Sequence, residues 1–401
     1  MQRSYRKKAA VVLVLLVLVA AVAWWLQWRE PLTPSPTSAV QHSQPSPPPA
    51  RASGLQAVLR ERFPGLDLMR AERESTACEA DVRSLTLQRW EALASSGQRD
   101  HRIAHALLAD SYSRTPGTSA RLLAGLAAGA PDDAELLWLH ATACQPDHGC
   151  DAPGAARRMV AAAPDNLAHW LLLIGSTARY PDGEKPWTSQ PSNMDELGRL
   201  LDAAAQASTK YASHHGEAFL MAYAAMEDLP VPPSCNSSQL MAARRAVAQM
   251  GMSGLEAPMD SAGLAIGAAT AAAFTPDSSA HLVAHMCQEP ALTPARLDSC
   301  RVILARLADG DTLLAQGLGL GAMARLQEHL PAAKAAAWRE RYRQHRWLME
   351  QYAAQAMDFD SAKILTTMAE GEVASIRAQL ARRGQWPPPV DWQPKEAGKR
   401  R

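Results

Sequence analysis

The fold is decided by a short motif that occurs twice in the chain. Residues 130–139 read APDDAELLWL, and residues 163–172, 33 positions later, read APDNLAHWLL. Each copy turns at a proline and then opens an apolar run that contains a tryptophan, which is typical of one helix ending and the next beginning. Alanine and leucine dominate the chain, and few windows show the β-branched alternation that a strand needs. The sequence therefore predicts an all-α fold.

The two copies resemble the opening of a tetratricopeptide repeat. Trp170 and Leu173 match the Trp-x-x-Leu start of that family, and Pro164 precedes the tryptophan at the expected distance, although Ile174 stands where glycine is usual. The likeness covers about residues 118–180. It implies an array of helical hairpins, TPR-like or α-solenoid in kind, with a concave surface that binds a peptide or protein.

The N-terminus has the features of a membrane anchor. Residues 9–28 begin with an uncharged apolar run, which at ~1.5 Å per residue is long enough to cross roughly 30 Å of hydrocarbon. Basic side chains crowd residues 1–8, whereas Arg29 is followed at once by an acid. The positive-inside rule then leaves residues 1–8 in the cytoplasm. We therefore expect a single-pass protein of a bacterial inner membrane with its main domain in the periplasm.

A cleaved signal peptide is the alternative interpretation of the same segment. Ala21, Val22 and Ala23 have the small-x-small form of a cleavage site. The apolar run is longer than the hydrophobic core of a usual signal peptide, and Trp24 and Trp25 would directly follow the cut, so the anchor is favoured. Both interpretations predict export.

Composition divides the remaining chain into a stalk, a body and a tail. Residues 29–53 are rich in proline and serine and predict an extended stalk. Residues 54–383 predict an all-helical extracytoplasmic domain, with possible internal boundaries at the proline-containing stretches 181–192 and 229–236. Residues 384–401 are predicted to form a disordered tail. Three of the predicted helices matter below: 54–73, 84–96 and 360–383.

Six cysteines in an exported chain favour disulfide bonds over free thiols. Helix breakers lie between Cys144 and Cys150, and again between Cys287 and Cys300, so each pair can close where the chain turns back. The other two cysteines pair by default. The predicted set is therefore Cys144–Cys150, Cys287–Cys300 and Cys78–Cys235.

Histidines offer a metal-binding alternative. His148 lies between two of the cysteines, and the pairs His101/His105 and His281/His285 are each four residues apart on a predicted helix. Zinc motifs use that spacing with a third ligand, and the catalytic version carries glutamate after the first histidine. Neither pair has that glutamate. Structural or surface histidines are favoured, and no metal ligand is predicted.

The overall charge and the glycine spacing exclude some classes of function but do not identify the function. A net charge of +1 argues against a nucleic-acid partner. The glycines Gly317, Gly319 and Gly321 approach a dinucleotide-binding spacing, but no strand precedes them, so close helix packing is favoured. No catalytic residue and no cofactor is predicted. The expected function is a scaffold or protein-binding module that docks an envelope protein or peptide. The alternative is an envelope enzyme or metal-binding protein whose site is assembled from distant residues.

Overall fold

The protein is described by a computed structural model that covers residues 61–113, 115–145, 149–181, 190–249, 258–273, 279–288, 292–326, 330–355 and 361–394. These residues form helices and no strand, so the predicted all-α class is confirmed. The predicted cytoplasmic end 1–8, transmembrane helix 9–28 and stalk 29–53 lie outside the described residues. Within the described part of the chain, no helix is long and apolar enough to span a membrane.

The described ranges contain sixteen α-helices. In chain order they are α1 Leu68–Ala94, α2 Arg99–Tyr112, α3 Thr118–Ala128, α4 Ala134–Ala143, α5 Ala152–Ala162, α6 Leu167–Thr177, α7 Met194–Ala207, α8 His215–Ala224, α9 Ser238–Gln249, α10 Ser261–Ala273, α11 Ser279–Met286, α12 Leu297–Ala308, α13 Leu313–Arg325, α14 Ala332–Gln355, α15 Ser361–Glu370 and α16 Glu372–Arg382.

Both copies of the sequence motif start a helix through a side-chain cap. Asp133 precedes α4 and accepts a hydrogen bond from the backbone N–H of Leu136, while Asn166 precedes α6 and accepts from that of Ala168. These contacts satisfy N–H groups that a helix start otherwise leaves unpaired. Helix α5 begins 34 residues after α3, and α6 begins 33 residues after α4. The helical hairpin therefore recurs with the spacing of the motif.

Two helix boundaries differ from the sequence prediction. The predicted helices 54–73 and 84–96 are replaced, in the described residues, by the single helix α1, in which Arg70 and Glu74 form an i,i+4 ion pair at 2.9 Å. The predicted helix 360–383 is interrupted at Gly371, whose φ of 86° lies in the left-handed region. A helix cannot continue through that conformation, so α15 ends and α16 begins there.

The ordered body also extends beyond the predicted start of the disordered tail. Trp392 meets Trp347 of α14 edge to face, with centroids 5.1 Å apart. Arg343 donates to the carbonyl oxygens of Pro389 and Trp392 at 2.9 and 3.1 Å. Aromatic packing and these hydrogen bonds hold residues 384–394 against the helices. Only residues 395–401 of the predicted tail lie outside the described residues.

The chain folds into two compact units. Among the described residues, the smaller unit comprises 61–82 together with 232–249 and 258–259, and the larger unit comprises the rest. One division therefore falls inside the proline-containing stretch 229–236. A disulfide joins Cys78 to Cys235 within the smaller unit, across a sequence separation of 157.

Polar contacts supplement this disulfide in the smaller unit. The carboxylate of Glu74 accepts from the Ser237 hydroxyl at 2.6 Å and from the Leu240 backbone N–H at 3.2 Å, so it satisfies a donor at the start of α9. The Ser237 hydrogen bond is the largest cause that lowers the pKa of Glu74. Ser234 donates to Asp81 at 2.6 Å. The disulfide therefore lies within a hydrogen-bonded polar neighbourhood.

In the larger unit, α2 to α7 pack one on the next in chain order. Helix α11 lies on α6, and α12 lies on α7 and α13, which in turn carries α14. Helix α8 departs from this order because it packs on α2, α10 and α15. Helices α2 to α7, the sequential part, follow the hairpins of the motif, and α11 and α12 pack on α6 and α7.

Two hydrophobic cores fill the sequential part, and Trp170 contacts both. One core is built mainly from α2 to α6 and includes Leu137 and Met159. The other is built mainly from α6, α7 and α11 to α13 and includes Leu171 and Ile303. Trp170 is half-buried on α6 and packs against each of them. This one aromatic ring therefore couples the two cores.

The tryptophan of the first motif copy is covered by the chain itself. Trp138 of α4 is 4% exposed, and its ring lies 5.4 Å from that of His214 and 4.8 Å from that of His215. Ala218 of α8 joins the same core. The surroundings of Trp138 are thus occupied by the chain's own residues.

Candidate functional site

A polar cluster forms where the segment before α8 meets the start of α6. Asn166 organises it: its side-chain oxygen accepts from the backbone N–H groups of Ala168 and Ala212, both at 3.1 Å, and its amide donates to the Ala212 carbonyl at 2.9 Å. Leu167 N–H also donates to the Lys210 carbonyl at 2.8 Å. These contacts fix the amide orientation of Asn166 and fasten the segment to α6.

His169 is buried, at 1% exposure, and its tautomer follows from its neighbours. Its Nδ1 lies 3.0 Å from the Ala163 carbonyl oxygen, which can only accept, so Nδ1 carries the proton. Its Nε2 then offers a lone pair, which faces the Asn166 amide and His214 Nε2, each at 3.3 Å. Burial is the largest cause that lowers the pKa of His169, to about 4. The ring is therefore a neutral acceptor.

His214 has a partner at each ring nitrogen. Its Nδ1 lies 2.6 Å from Oε2 of the exposed carboxylate of Glu217. Its Nε2 lies 3.3 Å from His169 Nε2; the ring centroids are 5.5 Å apart and the planes differ by 25°. The three side chains thus form a polar chain from an exposed carboxylate to a buried neutral ring.

Two carboxylates, Glu135 and Asp311, lie near this histidine network, and Glu372 lies near Asp311. Burial, followed by the negative charge of Glu217, raises the pKa of Glu135. Asp311 accepts from the backbone N–H and the hydroxyl of Ser213, both at 3.2 Å, and burial raises its pKa. Glu372 accepts from Leu313 N–H at 2.7 Å, and burial, opposed by that hydrogen bond, raises its pKa. These acids are distant in sequence, so the site is assembled by the fold.

The network connects the surface to a buried ring, and the described residues place no nucleophile against it. Exposed Glu217 is linked to buried His169 through the ring of His214. Among the described residues, no serine, threonine or cysteine side chain hydrogen-bonds to either ring. Nucleophilic catalysis needs such a contact between base and nucleophile. The arrangement therefore serves mainly to hold the start of α8 on α6 through hydrogen bonds.

The cysteines form the same three pairs that were predicted: Cys78–Cys235, Cys144–Cys150 and Cys287–Cys300. His140, Cys144 and Cys150 bring one nitrogen and two sulfurs within 4.8 Å of one another, the single such group in the described residues. The disulfide removes both thiolates, which are the species that bind a metal. His148 lies outside the described residues.

The two histidine pairs of the sequence analysis do not join that group. His101 Nδ1 lies 3.0 Å from the Ser96 hydroxyl, and the ring of His105 stacks on Trp90 with centroids 4.7 Å apart. Burial lowers the pKa of His105. His281 lies on α11 and His285 in its last turn, and neither belongs to a metal-ligating group in the described part of the chain. The pair on α2 therefore has a packing role.

The glycine spacing on α13 is explained by close helix packing. A Cβ added to Gly319 would lie 2.4 Å from the backbone nitrogen of Ala308 and 2.7 Å from the carbonyl oxygen of Leu304. Backbone atoms cannot yield as a flexible side chain can, so α12 and α13 approach closely because this position lacks a side chain. The packing interpretation is confirmed.

A basic cleft lies between α15 and α16. It has a volume of about 290 Å³ and is lined by Ala362, Lys363, Thr366, Gln379, Arg382 and Arg383. Three of these six residues are cations and none is an acid. The two arginines are exposed at the end of α16. The cleft therefore presents positive charge to any segment that enters it.

Compared with protein-family models, with curated proteins and with solved structures, the chain gives no match. The function is therefore argued from its own residues.

Proposed function

We propose that the protein is a membrane-anchored, periplasmic binding module of a bacterial cell envelope, and that its helical body binds an acidic segment of another envelope protein. The basic cleft between α15 and α16 is the observation that carries this proposal. In this function the protein acts through binding, and the N-terminal segment 9–28 holds it to the inner membrane.

Charge and size define the occupant of the cleft. Lys363, Arg382 and Arg383 line one concave surface, and the two arginines are exposed. Three cations in a cleft of about 290 Å³ suit a short stretch of aspartate or glutamate side chains. Gln379 and Thr366 add polar side chains between them. We therefore assign the cleft to an acidic peptide segment.

The helical hairpins also support a binding function, but as the rigid support of the binding surface and not as that surface itself. Consecutive helices pack as pairs at α3–α4 and α5–α6, and stacked helical hairpins are a common scaffold for binding peptides. Trp138 of α4 is covered by His214 and His215. The proposed partner therefore docks at the basic cleft, and the hairpins serve as the rigid support.

An envelope enzyme is the second candidate, favoured by one observation. His169, His214 and Glu217 form a polar network from distant parts of the chain. Besides a group that transfers a proton, a hydrolytic site needs a nucleophile or a bound water at hydrogen-bond distance. Replacement of His214 by Gln should leave peptide binding intact. Loss of a hydrolytic turnover in that variant would instead favour the enzyme.

Export and anchoring are tested by a reporter that is active only in the periplasm, fused after Ser53. We expect activity, and we expect the full chain to remain in the membrane fraction in high salt and carbonate. A mature N-terminus near Trp24 would remove the anchor and leave the export.

Binding is tested with the full-length protein in detergent and three labelled peptides of equal length. One peptide is rich in aspartate and glutamate, one is neutral, and one is basic. We expect saturable binding of the acidic peptide only, weakening as salt rises because exposed charges are screened. Equal binding of all three peptides, or none of the acidic one, would exclude the proposal.

A further inference from the structure

The three disulfides differ in how far an incoming thiol can reach them. Both Cys287 and Cys300 are fully buried, and of the pair that closes the smaller unit, Cys78 is 6% and Cys235 0% exposed. Cys150 alone among the six is only partly buried. Thiol–disulfide exchange requires direct attack on a sulfur, so access decides which bridge can react. Cys150 is therefore the most exposed of the six bridged cysteines.

A histidine lies against that sulfur. His140 Nε2 is 3.9 Å from Cys150 Sγ, and His140 Nδ1 is 3.5 Å from an Nη2 of Arg158. A guanidinium can only donate, so Nδ1 accepts and the ring proton sits on Nε2, directed at the sulfur. Burial first, and the charge of Arg158 second, lower the pKa of His140, so this neutral tautomer persists.

The loop that the bridge closes is the smallest of the three. Cys144 and Cys150 are six residues apart, against 13 for Cys287–Cys300 and 157 for Cys78–Cys235. The bridge lies between the end of α4 and the start of α5, outside both helices. A disulfide that closes a short loop removes less entropy from the unfolded chain, and so stabilises the fold less, than one that closes a long loop. The fold therefore tolerates opening of this bridge best.

We propose that Cys144–Cys150 is a redox-active disulfide that exchanges with the dithiol of a partner protein, with Cys150 as the exchanging sulfur and His140 as the residue that positions a proton toward its thiolate. This activity is separate from the binding of an acidic segment. The other two bridges are structural.

The exchange proceeds in two displacements. A thiolate of the partner dithiol attacks Cys150 Sγ, an intermolecular S–S bond forms, and the Cys144–Cys150 bond breaks. The electron pair leaves on Cys144 Sγ, which takes up a proton. The second thiolate of the partner then attacks the partner sulfur that is bonded to Cys150 in the mixed disulfide. The partner's own disulfide forms and the Cys150 thiolate is expelled. That thiolate accepts a hydrogen bond from His140 Nε2 and is finally protonated. The protein disulfide is reduced to two thiols, and the partner dithiol is oxidised to a disulfide.

His140 favours this reaction because a hydrogen bond to a thiolate stabilises the charged form. A stabilised thiolate is a better leaving group, and a disulfide that yields one is more easily reduced. Arg158 strengthens the effect through its positive charge behind the ring.

The first experiment equilibrates the full-length protein with graded ratios of reduced to oxidised dithiothreitol and follows each cysteine pair by thiol labelling and peptide mass spectrometry. We expect half-reduction of Cys144–Cys150 at a ratio at least about tenfold lower than that for Cys287–Cys300, which is the internal control. Simultaneous reduction of all three bridges, or later reduction of Cys144–Cys150, would overturn the proposal.

The second experiment tests the role of His140 through the pH dependence of alkylation. Cys144→Ser leaves Cys150 as a single thiol, whose alkylation should be half-maximal below the value of about 8.5 for an ordinary thiol. Adding His140→Gln or the exposed Arg158→Gln should slow alkylation at pH 7 several-fold and move the profile upward. His101→Gln, on another helix, is the matched control. Identical profiles in all four proteins would refute the assignment of His140. If His140→Gln perturbs folding, Arg158→Gln still decides the test, because Arg158 is exposed.

Discussion

The indole nitrogen of Trp170 donates to the carbonyl oxygen of Pro164 at 2.8 Å, so the side chain that joins the two cores is also tied to the turn before its own helix. The motif that repeats in the sequence thus has a physical role. In the second copy, Pro164 lies in the turn, and Trp170 ties that turn to the packed helices.

Replacing Trp170 by alanine should reduce the free energy of unfolding by roughly 2–4 kcal/mol, below the cost for a fully buried ring because this one is half-buried. Trp170→Phe keeps much of the packing and loses the N–H, and should cost about 1 kcal/mol. Denaturant unfolding is the measurement. Val390→Ala, at a side chain that is 94% exposed, is the control and should change little. Equal midpoints for Trp170→Ala and the control would contradict the role of Trp170.

The protein should lose stability as pH falls from about 6.5 to about 4. Burial is the largest cause that lowers the pKa of both His169 and His345 to about 4, whereas an unfolded histidine titrates near 6.5. Below about 6.5 the unfolded chain binds protons that the folded chain refuses, so stability is fully present above that pH and is lost below it. Each ring accounts for at most roughly 3 kcal/mol.

Denaturant unfolding at pH 7, 6, 5 and 4 checks this expectation, with His345→Gln as the comparison. His345 is 4% exposed, and its Nδ1 has no hydrogen-bond partner among the described residues. Its removal should therefore flatten the decline in this pH range. A variant that declines as steeply as the original protein would show that His345 is not a source of the acid sensitivity.

Removal of the Cys78–Cys235 disulfide should destabilise the smaller unit selectively. Because 157 residues separate the cysteines, the chain-entropy model gives a loss of about 5 kcal/mol. Hydrogen exchange of the double alanine variant should show lost protection in α9, while α3 to α6 remain protected. Uniform loss of protection along the chain would contradict a selective role.

The sequence predicted the features that depend on neighbouring residues. The turns before α4 and α6 carry their capping residues and prolines within a few positions, so the helices there were expected. Two of the disulfide pairs were recognisable because helix breakers lie between the cysteines. The close approach at Gly319 was likewise visible as a spacing of small residues.

Features that depend on distant residues could not be predicted. His169 and His214 are 45 residues apart, and nothing in their local sequence indicates that their Nε2 atoms meet at 3.3 Å. The basic cleft needs α15 and α16 to pair, whereas the sequence predicted a single helix there. Only the left-handed glycine, Gly371, marks the break, and a glycine within a helical pattern is weak evidence of an end.

The most direct test of the proposed binding function is a titration of the acidic peptide into the full-length protein carrying Arg382→Gln and Arg383→Gln. The control carries Arg157→Gln and Arg245→Gln, two exposed arginines outside the cleft, so the net charge changes equally. We expect the dissociation constant to rise about tenfold for the cleft variant and to stay within twofold for the control, since two exposed charge pairs contribute roughly 1–2 kcal/mol. Equal affinity of the two variants, with circular dichroism showing both folded, would contradict the assignment of the cleft.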